Sequence, residues 1–438
     1  MESETVSTKQ RRIAELARIH LEVSFTSLAY HIDLRWLHEA FSRTRKDGAV
    51  GVDKQTAEEY AKDLGNNLRS LLERAKSGSY VAPPVRRAHI PKDPKGKETR
   101  PIGVPTFEDK VLQRAVQMVL EPLYEQEFLD CSYGFRPGRS AHDALEALWK
   151  QAMDIGGGWI IDLDIQKFFD SMCHSHVREI LKRRVCDGVL TRLIGKWLKA
   201  GVMEKGQLSY PEEGTPQGGV ISPILSNVYL HEVLDKWFAD VVKPRMKGRA
   251  FMIRYADDAV LAFTRKEDAL RVMEVLPKRF GKYGLTVHPE KTRIVEFTRP
   301  TGRQDRKGAG CFNFLGFTHY WGKSKRGHWY IRRKTEKSRF TRSLRNITEW
   351  CKRHRHFPLR EQQKMLTLKL RGHYAYYGIT GNAMWLVRFR EEVRRVWRKW
   401  LNRRSKNPDM PWARFERLEQ HYPLPVAKVM RSYCAAKL

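Results

Sequence analysis

The sequence predicts an α+β fold, on three observations. Apolar residues recur at helical spacing over most of residues 9–75, as in Ile13-Ala-Glu-Leu-Ala-Arg-Ile19 and again over 57–72. Two short apolar runs within residues 251–264 flank the polar turn Ala256-Asp257-Asp258, which predicts a β-hairpin. Residues 334–404 read as three basic helices, broken near Phe357-Pro358 and between 378 and 382. At 438 residues the chain is long enough for two or three domains, each with its own core.

Charge narrows the function classes. The chain has 82 Lys+Arg against 50 Asp+Glu, a formal net charge of +32. Such a surplus calls for a polyanionic partner, nucleic acid or an anionic membrane. It is concentrated at the end: residues 321–438 contain 31 Lys+Arg and 8 Asp+Glu, while the first 320 residues hold 51 against 42. The tail is therefore the polyanion-binding part, and the front resembles an enzyme core. No apolar run approaches a membrane span, and Met1-Glu-Ser-Glu has no signal-peptide character, so no membrane partner is expected. Six scattered cysteines without a Cys-x-x-Cys pair fit a reducing cytoplasm. Cys351, His354 and His356 lack a nearby fourth ligand and read as a solvated, RNA-facing helix end.

In chain order, the helical pattern of residues 1–80 is interrupted at Gly48-Ala-Val-Gly-Val-Asp53, which reads as a loop. A strand ending at Ile90 runs into a Pro/Gly-rich basic turn and returns at Arg100-Pro-Ile-Gly-Val104. This is either a solvated hairpin tip or a triphosphate clamp, with Lys92 as point charge and Arg100 as fork. Lys95 and Lys97 compete with Lys92 for that role. A helix over 108–123 precedes Tyr133-Gly-Phe-Arg-Pro-Gly-Arg139, and another starts from Ser140. Arg136 and Arg139, beside aromatic and glycine residues, suit a nucleic acid backbone; a local packing turn has the same composition.

Residues 158–170 contain a buried-looking strand bearing Asp162 and Asp164, with Phe169 and Asp170 beyond it. An acid at a strand end is well placed to bind metal, whereas one in mid-strand needs a special reason, so Asp164 is the preferred ligand. Gly214-Thr-Pro-Gln-Gly-Gly-Val-Ile-Ser-Pro223 combines glycines that permit close backbone approach with a helix start. In the hairpin, Asp257 and Asp258 repel each other at the tip of buried strands, and a hard divalent cation removes that conflict. Asp-Asp is also ordinary turn chemistry. An amphipathic helix over 266–283, the segment Gly284-Leu-Thr-Val-His-Pro-Glu-Lys-Thr292 and a short strand over 312–317 follow. Seven of the 12 Trp fall in residues 321–438 among Arg and Lys, equipment for stacking bases and binding phosphate, although some must form a core.

Taken in order, these segments form a set. Asp164 with Phe168-Phe-Asp170, Thr215-Pro-Gln-Gly-Gly219, Tyr255-Ala-Asp-Asp258, Pro289-Glu-Lys291 and Phe314-Leu-Gly316 resemble the successive palm motifs of reverse transcriptases. Ile90-Pro-Lys92, Arg100-Pro-Ile102 and Tyr133-Gly-Phe-Arg-Pro137 resemble fingers motifs of the group II intron branch, and Leu370-Arg-Gly-His-Tyr-Ala-Tyr-Tyr-Gly-Ile-Thr-Gly-Asn382 resembles its maturase domain. The resemblance implies a right-hand polymerase of fingers, antiparallel palm and helical thumb. Its parts would be an N-terminal extension (1–80), fingers and palm (81–333) and a thumb that doubles as maturase domain with a basic tail (334–438).

It further implies that Asp164, Asp257 and Asp258, with the Ile165 carbonyl, bind two Mg²⁺ ions. Phe169 would be the steric gate favouring deoxynucleoside triphosphates, Gln217 and Gly218 would line the nucleotide and template site, and Lys291 would protonate pyrophosphate. Implied partners are a group II intron RNA, an RNA template and a DNA primer or target, in a bacterial cytoplasm at the nucleoid. Arg371, Tyr374, Tyr377, Arg388, Arg395 and Lys399 are the expected RNA contacts in the tail, alongside Arg136 and Arg139. Such binding should weaken steeply with salt.

The chain departs from the pattern in two places. The stretch from Lys92 to Arg100 is longer than the compact form of the motif, and no His-Asn-His or paired-cysteine endonuclease pattern follows Asn407-Pro408. The second departure implies priming on a nascent strand or an existing nick. Two other readings compete: an intron-free polymerase of DNA repair or phage defence, and an RNA-binding splicing cofactor with no polymerase activity. The three acids speak against the latter, since binding alone does not need them.

Overall fold

Helical spacing near the N-terminus produces four helices in the computed structural model: α1 (Val6–Ile19), α2 (Leu34–Arg43), α3 (Ala57–Ala61) and α4 (Leu64–Ser77). Short polar side chains set the starts of the first three. Thr5 Oγ1 accepts from the Thr8 amide, Asp33 from the Trp36 amide, and Thr56 forms a capping box with Glu59. The structure describes residues 5–91, 99–204, 206–210, 213–214, 218–300, 310–324, 326–404 and 410–432. They fall into two units, one drawn from 1–90, 99–148 and 159–294, the other from 91–98, 149–158 and 295–438.

The chain continues through β1 (Val85–Pro91), β2 (Thr99–Val104), α5 (Phe107–Tyr124), α6 (Ala141–Asp154) and β3 (Trp159–Leu163). Next come α7 (His174–Lys182), α8 (Gly188–Leu198), β4 (Val202–Glu204), β5 (Gln207–Ser209) and α9 (Ser222–Leu230), then β6 (Ala250–Tyr255), β7 (Asp258–Phe263), α10 (Lys266–Gly281) and β8 (Arg293–Glu296). Helix α5 buries residues all round, from Val111 and Leu112 to Val119 and Leu120, which makes it a core element of the first unit. Beyond α9 the helix runs on with π-type turns over His231–Asp235 and Trp237–Val242.

The hairpin expected from sequence forms. β6 and β7 pair from Ala250↔Phe263 to Tyr255↔Asp258, with Ala256 in the left-handed region at φ 56°. β3 lies antiparallel on the other side of β7, from Trp159↔Phe263 to Leu163↔Ala259, giving the order β6-β7-β3-β8. Helix α10 packs against β3 and β7. A second four-stranded sheet has the order β2-β1-β4-β5, with β1 and β4 parallel.

The second unit contains β9 (Phe312–Phe314), β10 (Phe317–Lys323), β11 (Trp329–Thr335) and helices α11 (Lys337–Arg353), α12 (Leu359–Tyr377), α13 (Ala383–Asn402) and α14 (Trp412–His421). The single strand expected over 312–317 is corrected. Leu315 and Gly316 take φ of 49° and 77° and fold the run into a β9–β10 hairpin, extended by β11. The three expected helices are α11, α12 and α13, and α14 was not foreseen. On α13, Leu386, Phe389, Val393, Trp397 and Leu401 form one buried stripe at helical spacing, packed with Leu366, Leu370 and Phe415.

Candidate active site

Pairing register brings the acids together. Since Leu163 faces Ala259 across the β3–β7 ladder, one further step sets Asp164 opposite Asp258, where β7 leaves the hairpin turn. Burial raises the Asp257 carboxyl above its usual range and the charge of Asp164 adds to this, while its own backbone amide and the Arg100 and Arg254 guanidiniums work in the other direction. Asp257 thus senses both Asp164 and Arg100, residues far apart in sequence.

The Asp164 backbone is pinned on both sides. Its N–H donates to Thr292 Oγ1 (3.1 Å), and its carbonyl accepts from the His288 amide (2.8 Å) and the Thr292 hydroxyl (3.2 Å). Lys291 Nζ lies 3.5 Å from Asp164 Oδ1. Ile165 bridges Val287, flanked by the His288–Asp164 bond and the Gln166–Thr286 bond (2.8 Å). In such a bridge the Ile165 carbonyl itself points away from the 286–288 segment. Asp162 instead pairs with Arg293, 3.6 Å away, which makes it a structural acid.

Among the described residues no three His, Cys, Asp or Glu side chains are gathered tightly enough to hold a metal ion unaided. The donor set, two adjacent carboxylates and a third at the neighbouring strand end, still suits a hard cation that shares its shell with substrate phosphates. Burial is the main cause that raises Asp257, and the Asp164 charge that adds to it is one such a cation would offset.

Gly214 and Gly218 lie against the same region. The Gly214 amide donates to Met172 O (2.9 Å), and its carbonyl accepts from His174 Nε2 (2.5 Å), just beyond Phe169 and Asp170. At Gly218, φ is 117° and a Cβ would lie 2.7 Å from Gly103 O, so Gly218 rests on the backbone of β2, the strand that carries Arg100. Phe169 is half-buried with its ring edge-to-face on Phe168, centroids 5.3 Å apart. Lys92 and Gln217 lie outside the described residues, as do Lys95 and Lys97.

The sequence model of the family described as reverse transcriptase (RNA-dependent DNA polymerase) matches residues 90–319. The chain belongs to the reverse transcriptase family. It is 39% identical over 241 residues to the group II intron-encoded protein LtrA of Lactococcus lactis subsp. cremoris, covering 54% of this chain and 38% of that protein. It is 34% identical over 331 residues to protein YkfC of Escherichia coli K12, covering 66% of this chain and 84% of YkfC. It is 25% identical over 255 residues to nuclear intron maturase 4, mitochondrial, of Arabidopsis thaliana, covering 54% of this chain and 29% of that protein.

Several expected nucleic acid contacts of this reverse transcriptase are corrected. Arg136 is buried and donates to both Glu125 oxygens (Nε–Oε1 3.0 Å, Nη2–Oε2 2.9 Å) and to the carbonyls of Leu129 and Ser132. It stitches a turn and is not presented to RNA. Arg139 lies over the Tyr133 ring and pairs with Asp130 at 2.7 Å. Gly134 shows why this segment is compact, because a Cβ there would stand 2.2 Å from the Ala256 nitrogen. Of the two readings of this segment, the packing turn fits the contacts.

In the second unit Tyr374 is buried with its hydroxyl toward Pro425 O (3.3 Å), and Tyr377 is half-buried against Phe317 and His373. The Tyr374 ring is not available to stack on a base. Arg371, Arg388, Arg395 and Lys399 are exposed. Arg388 lies 5.3 Å from the Trp385 ring centre, and Arg395 pairs with Glu392 at 2.7 Å. Cys351 is a core residue and His354 stacks on Trp350 with centroids 4.8 Å apart, so this stretch is in part a packing element. Sequence reasoning missed Thr292 and His288 as anchors of Asp164; their signal was a position one and three residues from Lys291, already singled out.

Proposed function

We propose that this chain is an RNA-directed DNA polymerase encoded by a group II intron, and that it also binds that intron's RNA as a maturase. In this reading residues 81–333 form fingers and palm, residues 334–438 the thumb and maturase domain, and residues 1–80 an N-terminal extension. The chain spans 38% of the length of LtrA, so the activity and partners are our inference from the family and from the site. The observation that supports it best is the approach of Asp164 to Asp257 and Asp258 at the ends of neighbouring strands.

Asp164, Asp257 and Asp258, with the Ile165 carbonyl, would hold two magnesium ions. When bound, these would make the primer 3′-hydroxyl more acidic and offset charge on the departing pyrophosphate. Arg100 and Lys92 would grip the triphosphate, and Gln217 and Gly218 would line the nucleotide and template. Lys291, beside Asp164, would supply a proton to the pyrophosphate oxygen. Phe169 would exclude a ribose 2′-hydroxyl. Exposed Arg371, Arg388, Arg395 and Lys399 on the basic helices would bind RNA phosphates.

Sequencing the RNA that co-purifies with the protein from its native host tests the maturase half. One dominant structured intron, spliced or as precursor, is the expected result. A heterogeneous RNA population from a preparation that extends primers well would instead indicate an intron-free polymerase.

A further inference from the structure

Arg254 stands in the apolar strand β6, two residues before the hairpin turn, with none of its surface reaching solvent. A buried guanidinium is tolerated when its donors are met, and all five are. Nε and Nη2 form a fork with Asp235 (2.7 and 2.6 Å), and Nη2 also reaches Ser132 Oγ (2.7 Å). Nη1 donates to Asn227 Oδ1 (3.1 Å) and to the carbonyl of Ala256 (2.9 Å).

The last bond matters most. Ala256 occupies the left-handed region, which alanine adopts reluctantly, and it is the residue from which Asp257 and Asp258 depart. Asp235 sits in the first π-type turn beyond α9, the kind of helix irregularity that recurs at functional sites. The main chain of Arg254 joins the same knot: its N–H donates to Cys131 O (2.7 Å) and its carbonyl accepts from the Tyr133 amide (2.9 Å). Asn227 Nδ2 completes it by donating to Gly134 O (2.7 Å).

We propose that Arg254, oriented by Asp235, is a positioning residue that fixes the Ala256 turn and thereby the placement of the Asp257–Asp258 pair. It touches neither nucleotide nor template. This rests on the polymerase reading above, so the test has one readout that needs no catalysis.

Arg254→Gln alone strands the Asp235 charge and can unfold the chain, so the informative protein is the neutral pair Asp235→Asn/Arg254→Gln. Its amides can bond each other, but one glutamine cannot replace five donors and still hold the Ala256 carbonyl. With a melting temperature close to wild type, the double variant is expected to lose about 10- to 100-fold in kcat while the nucleotide KM moves much less. Amide hydrogen exchange over residues 255–258 is expected to quicken in the same variant. Wild-type kcat in the folded double variant, or a loss confined to KM, overturns the proposal, and so does unchanged exchange at the turn. A wild-type protein inactive on every RNA template, with exchange still quickened in the variant, would instead overturn the polymerase reading and leave the positioning role standing.

Discussion

Asp109, on the core helix α5, is a buried carboxyl that accepts from Tyr80 Oη (2.6 Å), Trp197 Nε1 (2.7 Å) and Gln113 Nε2 (2.9 Å). Gln113 in turn accepts from the Ile221 amide (3.2 Å) at the entry to α9. Burial pushes the Asp109 pKa up to about 6, against its hydrogen bonds. A folded pKa above the unfolded 3.8 means that the folded state binds the proton more tightly. Asp109 therefore favours folding most at low pH, and this contribution is lost as pH rises through about 6. Urea unfolding of wild type and Asp109→Asn at pH 4.5 and 7.5 should show the variant gaining relative to wild type at the higher pH; a constant difference would refute the shift.

At the scale of elements, much was legible because period and punctuation agreed. The β6–β7 hairpin, α5, α10 and the three basic helices all follow apolar spacing bounded by polar or Pro/Gly breaks. The sheet β9-β10-β11 was hidden for a physical reason. Its buried positions alternate as a strand requires, but they include His319 and Arg333, and inward polar residues break the hydrophobic pattern. His319 is accommodated by stacking on Phe312, centroids 4.9 Å apart, and Arg333 by the face of Trp149. The same limit applied to Arg254: a lone charge in an apolar strand was visible in the sequence, but four of its five acceptors belong to Ser132, Asn227 and Asp235, distant in the chain. Arg136 and Tyr374 show the converse, since a motif gives residue type and not the direction a side chain faces. The glycine loop offers an element-scale test. Gly218→Ala should force residue 218 off β2 at a strain of about 1–3 kcal/mol. Nucleotide incorporation should fall about tenfold while the melting temperature changes little. Wild-type incorporation would show that the loop does not need this close approach.

Across the whole molecule, charge and acids are partitioned. The three candidate metal-binding carboxylates all belong to the first unit, whereas residues 321–438 bring 31 Lys+Arg against 8 Asp+Glu. Synthesis and RNA retention should therefore be separable by mutation. No helix among the described residues is long and apolar enough to cross a membrane. The most direct test compares wild type with Asp257→Ala in one preparation, reading primer extension on an RNA template and retention of RNA side by side. The expected result is extension by wild type, a loss of about a hundredfold or more in the variant, and undiminished RNA binding. Extension that survives without Asp257, or equal loss of both functions in a folded variant, would contradict it.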